Sequence, residues 1–280
     1  MIDAHHHLWK LSRGDYGWIG EGNNPAVAPI EHDYLVDDFR ALASANGITG
    51  SVAVQAAPTV AETRWLLDQA HASGGLIGGV VGWIDMAATD APHVLRDLAR
   101  NPLLRGIRPM LQDIADVEWV LQPKLAPALH ALTQLDLSLD LLVKPPHLKA
   151  AHTLLLRHPD LRAIVDHGAK PAIAAGMWQP WADDMRRIAL DTSASCKLSG
   201  LVTEARPGAD PDDLQRYSDH LLDCFGAERI VWGSDWPVML LNGNYSGWLA
   251  TARQFIAPLS AAEQSAILHD NAVRFYRLPA

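Results

Sequence analysis

His5-His6-His7 is the densest run of chemistry-bearing residues in the chain. Three histidines are too few for a purification tag, and Leu8-Trp9 continues an apolar run after them. In an extended strand, residues two apart point the same way, so His5 and His7 share one face and His6 takes the other. Two imidazoles on one face suit ligation of one metal ion or polarisation of one carbonyl. His167, in Val165-Asp166-His167-Gly168, and Asp235, in Gly233-Ser234-Asp235-Trp236-Pro237, add a third imidazole and a carboxylate. Singly, each is an ordinary structural hydrogen bonder. Together with His5 and His7 they form the ligand mix of a single zinc-class divalent ion, and Asp235 equally suits the role of general base for an attacking water.

Residues this far apart in the chain meet only if the fold gathers the ends of several elements. Short β-branched or apolar runs alternate with longer amphipathic stretches, which reads as strands joined by crossover helices in a mostly parallel sheet. Strands are predicted over residues 1–6, 50–56, 77–83, 104–110, 137–143, 163–167, 195–199 and 230–234. Thr59 with Glu62 and Ser260 with Glu263 have capping-box spacing, in which a hydroxyl and a carboxylate satisfy orphan first-turn amides. Gly47 stops a helix over 35–46 as a left-handed cap, and Pro211 and Pro180 stand where a first helical turn loses nothing by a missing amide. Eight units in 280 residues leave about 35 for each strand, helix and pair of loops, as a (β/α)8 barrel needs. No low-complexity linker interrupts them. The expectation is an α/β fold, a single (β/α)8 TIM barrel domain over residues 1–280.

Such a barrel keeps its chemistry at the C-terminal ends of its strands. The predicted strands end on His5 and His7, Gln55, Trp83 and Asp85, Arg108, Lys144, Asp166 and His167, Lys197 and Ser199, and Asp235. A doubly wound sheet has no need of such groups on every strand. Arg108 is permanently charged, and its planar fork suits a carboxylate or a polarised carbonyl. Lys197 suits an oxyanion or a structural ion pair. Gln55, Gln112 and Lys144 are expected to contact substrate. Trp18, Trp83 and Trp236, with Trp9, fall at or just after strand ends, where indoles can pack on the C–H faces of sugar-like rings and donate a hydrogen bond. Trp65, Trp119 and Trp248 fall within predicted helices and are read as packing. Asp15-Tyr16-Gly17-Trp18 reads as a loop folded over the barrel mouth.

Composition excludes several classes of function. A chain 49% hydrophobic and 20% charged is globular, neither disordered nor fibrous. A net charge of -9 provides no basic stripe for phosphate backbones, so the expected partner is a small molecule of little charge and not a nucleic acid. No apolar run reaches the ~18 residues of a membrane helix, and the first residues lack the basic start and long apolar stretch of a signal peptide. No membrane association and a cytoplasmic location are expected. Cys196 and Cys224 have no CxxC spacing and are read as reduced structural thiols.

Ile2-Asp3-Ala4-His5-His6-His7-Leu8-Trp9, Gly106-Ile107-Arg108, Asp166-His167-Gly168-Ala169-Lys170-Pro171, Cys196-Lys197-Leu198-Ser199-Gly200 and Trp232-Gly233-Ser234-Asp235-Trp236-Pro237 resemble the amidohydrolase superfamily. Within it they are similar to the branch of sugar-lactone hydrolases that includes L-fuconolactonase and L-rhamnonolactonase-like enzymes. The similarity runs to Asn271-Ala272 and Phe275-Tyr276, essentially the whole chain. It implies a (β/α)8 barrel, hydrolysis of a lactone ring, and a site built from His5, His7, His167 and Asp235. Binuclear members of the superfamily bridge two metals through a lysine or glutamate ending the fourth strand and take another histidine from the fifth. Here the fourth ends in Arg108, and the fifth in Val143-Lys144-Pro145 with His147 beyond a Pro-Pro pair. The expectation is therefore one divalent ion, zinc by preference, or none, and no organic cofactor.

The reaction expected on these grounds is the opening of a sugar lactone to its aldonic acid. Asp235 would activate water, His5, His7 and His167 would polarise the carbonyl through an ion or as direct donors, and Arg108 and Lys197 would meet the developing negative charge. No Gly-x-Ser-x-Gly elbow suggests a serine nucleophile. The alternatives are a decarboxylase of an unsaturated or aromatic acid, with a flatter pocket and more than one cation for substrate carboxylates, and a sugar-binding barrel without turnover.

Overall fold

Gly50–Val54 reads GSVAV and Ile77–Gly82 reads IGGVVG, runs of small and β-branched residues with almost no polar alternation. Strands covered on both faces have that composition. The computed structural model describes residues 1–19 and 24–279, so residues 20–23 and Ala280 of the expected domain lie outside the described residues. Eight strands are present: β1 (Ile2–His6), β2 (Gly50–Val54), β3 (Ile77–Gly82), β4 (Leu104–Ile107), β5 (Ser138–Leu141), β6 (Ala163–Val165), β7 (Ser195–Leu198) and β8 (Ile230–Trp232). They pair in sequence order, every neighbour parallel. The Asp235 amide donates to the His5 carbonyl at 2.8 Å and the His7 amide to the Trp236 carbonyl at 2.6 Å, joining the end of β8 to β1. Helices follow the strands, among them Val36–Asn46, Val60–Ala72, Leu148–Arg157, Trp181–Asp191, Pro211–Phe225 and Tyr245–Ile256. This is the expected (β/α)8 barrel.

Two apolar layers hold it. Leucines, alanines and aromatics of the helices pack on the outward faces of the strands in one large cluster. Inside the barrel Ile2, Ala4, Val52, Val54, Val81, Ile164 and Val231 meet Phe275, Tyr276 and Leu278 from the last helix, Asn271–Tyr276, and the residues just after it. Leu278 lies against Gly78 and Gly79 at the start of β3, so this segment covers the N-terminal end. No helix among the described residues is long and apolar enough to cross a membrane.

Every strand but β1 stops one to three residues short of its predicted C-terminal end, because the chain abandons strand geometry where the polar residues begin. After Val165 the backbone turns left-handed, with φ of 55° at His167, 56° at Gly168, 61° at Ala169 and 49° at Lys170, and Asp235 has φ 60°. The register of β1 against β2 also shifts between Asp3 and His6. That irregularity lets Ile2 and Ala4 and also His5 and His7 serve the barrel interior, which strict alternation forbids. Gly47 caps its helix with φ 70°, Asp210 caps the helix opening at Pro211, and Ser260 and Glu263 complete a capping box. Pro180 precedes the first turn as the N-cap of Trp181–Asp191. Both cysteines are buried and free.

Candidate active site

Imidazoles from β1 and from the turn after β6 converge on one carboxylate. Asp235 Oδ1 lies 3.2 Å from His7 Nε2 and 3.7 Å from Nε2 of both His5 and His167. His6 takes the other face, its ring stacked 3.8 Å from that of Phe39 and its Nε2 3.0 Å from Ser51 Oγ. Close backbone approach makes room for the rings: a Cβ on Gly233 would stand 2.6 Å from His5 Cβ, and one on Gly200, itself at φ +65°, would stand 2.6 Å from His167 Nδ1. Asp3 ties β1 to β8 behind the cluster, accepting the Ser234 and His5 amides through Oδ1 and the Tyr245 hydroxyl through Oδ2.

Burial dominates the titration of these groups. It pulls His167 down to about 4, lowers His7, and with the nearby Lys197 charge holds His5 well below the imidazole range. For Asp235 burial opposes ionisation, but His167, the His7 hydrogen bond and His5 outweigh it and hold the carboxyl below its usual range. Carboxylate and imidazoles compete for one proton and titrate as a unit. At neutral pH the carboxylate is ionised and the imidazoles are neutral. The Val54 carbonyl, 2.8 Å from His7 Nδ1, fixes the His7 proton there. A lone pair on Nε2 then faces a carboxylate oxygen, a contact that requires a proton or a cation between the two.

The donor set fits a single ion. His5, His7 and Asp235 offer ligand atoms within 4.8 Å of one another. His7 and His167 have the outer partners typical of metal-bound imidazoles, the Val54 carbonyl and Ser199 Oγ at 2.8 Å each. His5 differs: its Nδ1 is 2.9 Å from Lys197 Nζ, and its Nε2 is 3.3 Å from Arg108 Nη1. A second group, His5, Asp166 and His167, meets the same distance, with the cations of Lys197 and Arg108 already 2.8 and 3.5 Å from Asp166.

Lys197 sits beneath the cluster, fully buried, with Nζ 2.7 Å from Asp140 and 2.8 Å from Asp166. It donates to Asp140 and contacts His5 Nδ1 at 2.9 Å and lines no part of the cavity at the barrel mouth, so it supports His5 from below instead of facing substrate. Arg108 does face the cavity, held by the Gln55 side-chain oxygen at 2.6 and 3.0 Å and by the Gln55 carbonyl.

The cavity at this end measures about 220 Å³ and is lined by Trp18, Ala56, Arg108, Gln112, Lys170 and Asp235, with His7 and His167 at its floor. That is below the roughly 300–1,000 Å³ of sites for drug-sized ligands and suits a single ring. Trp18 offers its ring face only, since its N–H donates to the Ala56 carbonyl at 2.8 Å. Gln112 presents a buried side-chain oxygen with no partner among the described residues. Four residues expected at the substrate stand elsewhere. Gln55 is buried behind Arg108. Trp83 is held outside the lining, its backbone amide and carbonyl bonded to the Thr63 hydroxyl. Trp236 is core, packed on Tyr34 and Phe39, and Lys144 is exposed because β5 ends three residues before it. Lys170, which sequence reasoning left without a role, lines the cavity and pairs with Glu204 at 3.9 Å. A larger cavity of about 800 Å³ opens at the other end of the barrel, lined by Ile2, Ile77, Leu103 and Leu278 among others, and gathers none of these charged groups.

Comparison with known proteins places the whole barrel. The sequence model of the amidohydrolases matches residues 2–278. The chain belongs to the amidohydrolase family. This amidohydrolase is 41% identical to an L-fucono-1,5-lactonase of Burkholderia ambifaria, across 99% of this chain and 95% of the relative. It is 37% identical to an L-fucono-1,5-lactonase of Burkholderia multivorans, across 99% and 96%. Its fold matches the crystal structure of an amidohydrolase from Burkholderia multivorans with bound zinc at TM-score 0.93 and 35% identity, over 99% of both chains.

Proposed function

We propose that this amidohydrolase opens a sugar lactone, L-fucono-1,5-lactone or a close relative, to the aldonic acid by attack of water on the ester carbonyl. The observation that carries the reading is the convergence of three imidazoles on Asp235 beside Arg108, in a chain 41% identical over its length to an L-fucono-1,5-lactonase. The substrate ring lies in the small cavity against Trp18, and a ring hydroxyl donates to the free oxygen of Gln112.

Asp235 is the base. It is ionised at neutral pH and stands at the barrel mouth beside the cavity, where it accepts a proton from water as the oxygen bonds to the carbonyl carbon. The carbonyl π pair moves onto oxygen, where the Arg108 guanidinium meets the charge. Collapse re-forms the C=O bond and breaks the bond to the ring oxygen, which leaves as a hydroxyl after taking the proton from Asp235 by way of the neutral His167. The aldonic acid then loses its proton to solvent. His5, His7 and Asp235, with His167 beside them, would hold one zinc-class ion, which when bound polarises the carbonyl and acidifies water. Lys170 is paired with Glu204 and Arg108 with Asp166, which supports a neutral substrate over a decarboxylase's multiply charged acid.

A pH-indicator assay across a lactone panel tests the reading. Acid release from an L-aldonolactone is expected; carbon dioxide release, or binding without acid release, would reject it. Asp235→Asn should lower kcat by roughly two to four orders of magnitude without lowering the melting temperature, and a variant at near wild-type rate would remove Asp235 as base. Chelator treatment with metal analysis decides the ion: full activity in metal-free protein means the imidazoles and Arg108 act alone.

A further inference from the structure

Only half of the predicted capping box at Thr59 forms. The Thr59 hydroxyl accepts the Glu62 amide at 3.0 Å, but the Glu62 carboxylate does not return to Thr59. It is fully buried and accepts from the Ala56 amide at 2.9 and 3.2 Å and from the Ala57 amide at 2.9 Å. These amides belong to the segment after β2 from which the cavity wall hangs. The Val54 carbonyl faces His7 Nδ1, the oxygens of Gln55 hold Arg108, and the Ala56 carbonyl accepts the Trp18 indole. Carbonyls of three successive residues thus hold three wall side chains, while Glu62 grips the same segment through its amides.

We propose that Glu62 is a positioning residue, which by holding the Ala56 and Ala57 amides fixes the segment that aims His7, Arg108 and Trp18 at the substrate. It touches no reacting atom and acts through the backbone. Stability alone does not call for a carboxyl group here, since ionising it without an ion-pair partner is costly, and Glu62 makes no salt bridge among the described residues. The groups that face it are Arg108, just after β4, and Asp15 and Tyr16 from the loop after β1. Burial, opposed by the two amides and Arg108, pushes its carboxyl up to about 8. The folded state therefore retains a proton that the unfolded chain releases near the ordinary value of 4.5, and the contribution of Glu62 to stability falls as pH rises from 4.5 to 8.

Glu62→Gln separates positioning from structure. The amide keeps the shape but sets an NH2 group against one backbone N–H. It should lower kcat/KM by roughly ten- to a hundredfold, mostly through kcat, as misplacement of reacting groups does. Hydrogen exchange at the amides of residues 54–57 should quicken, and the melting temperature at pH 8 should not drop, because the group can no longer ionise. Glu62→Asp, which keeps the carboxyl group but draws it back from the amides, should lose rate by a similar factor. Wild-type kcat/KM in either variant, loss of rate only in proportion to loss of folded protein, or unchanged exchange at 54–57 would overturn the proposal. The kinetic part rests on the lactonase reading. Should the wild-type protein open no lactone, that reading fails by itself, and exchange at 54–57 still decides the role of Glu62.

Discussion

At the scale of single residues, what surrounds a group decides what it does. His167 can approach Asp235 because residue 200 has no side chain, and Gly200→Ala would put a methyl 2.6 Å from the ring in a backbone conformation of φ +65°. That variant should lose at least about 1 kcal/mol of stability, as alanine at positive φ does, and should lower kcat at least tenfold as His167 is displaced; thermal melts and initial rates check both. Gln112→Leu removes the free acceptor and should raise KM for a polyhydroxylated lactone by roughly two- to tenfold, the value of one hydrogen bond, while leaving δ-valerolactone unaffected. His5, His7, His167, Asp235 and Arg108 could be singled out in the sequence because their types carry chemistry wherever they meet, and the structure brings those five together. Lys197 could be singled out but not interpreted, since nothing near it in sequence announces Asp140 and Asp166 as its partners. Asp3, Glu62 and Lys170 act through neighbours distant in sequence or through a backbone turn, and no local spacing reveals either.

Elements convert those residues into a site. The eight strands were legible from their apolar runs, since a parallel strand buried on both faces cannot hide its composition. Their C-terminal ends were not. Polar residues there continue a plausible strand in sequence, yet Ala169 and Lys170 adopt a left-handed backbone that neither prefers locally, and only packing around His167 enforces it. The join between β8 and β1 rests on Asp3, whose second oxygen is taken by Tyr245 at 2.8 Å. Tyr245→Phe should therefore cost about 1–3 kcal/mol by leaving a buried acceptor unpaired, read as a lower melting temperature, with kcat of the folded protein far less affected.

For the whole molecule, buried titratable groups of opposite kind set a stability optimum. Burial lowers four imidazoles, His5, His6, His7 and His167, the last to about 4 and His6 to about 3. The unfolded chain protonates them near 6.5 while the folded protein does not, so stability falls as pH drops from 6.5 toward 4. Burial raises Asp3 to about 6 and Glu62 to about 8, and their contribution falls as pH rises through those values. Burial raises Asp140 and Glu204 as well; the four imidazoles govern the acid side, and Glu62 still releases its proton on the alkaline side. Melting temperature should peak between about pH 6 and 7, and Glu62→Gln should flatten the alkaline side. The hydrogen bonds that close the barrel have a further consequence for biosynthesis. His7 and Trp236 are partners from opposite ends of the chain, so a growing polypeptide holds β1 as an open edge until the eighth strand leaves the ribosome. Through most of translation the incomplete sheet offers two unpaired edges to other chains, and a chaperone that protects the nascent protein has to shield both.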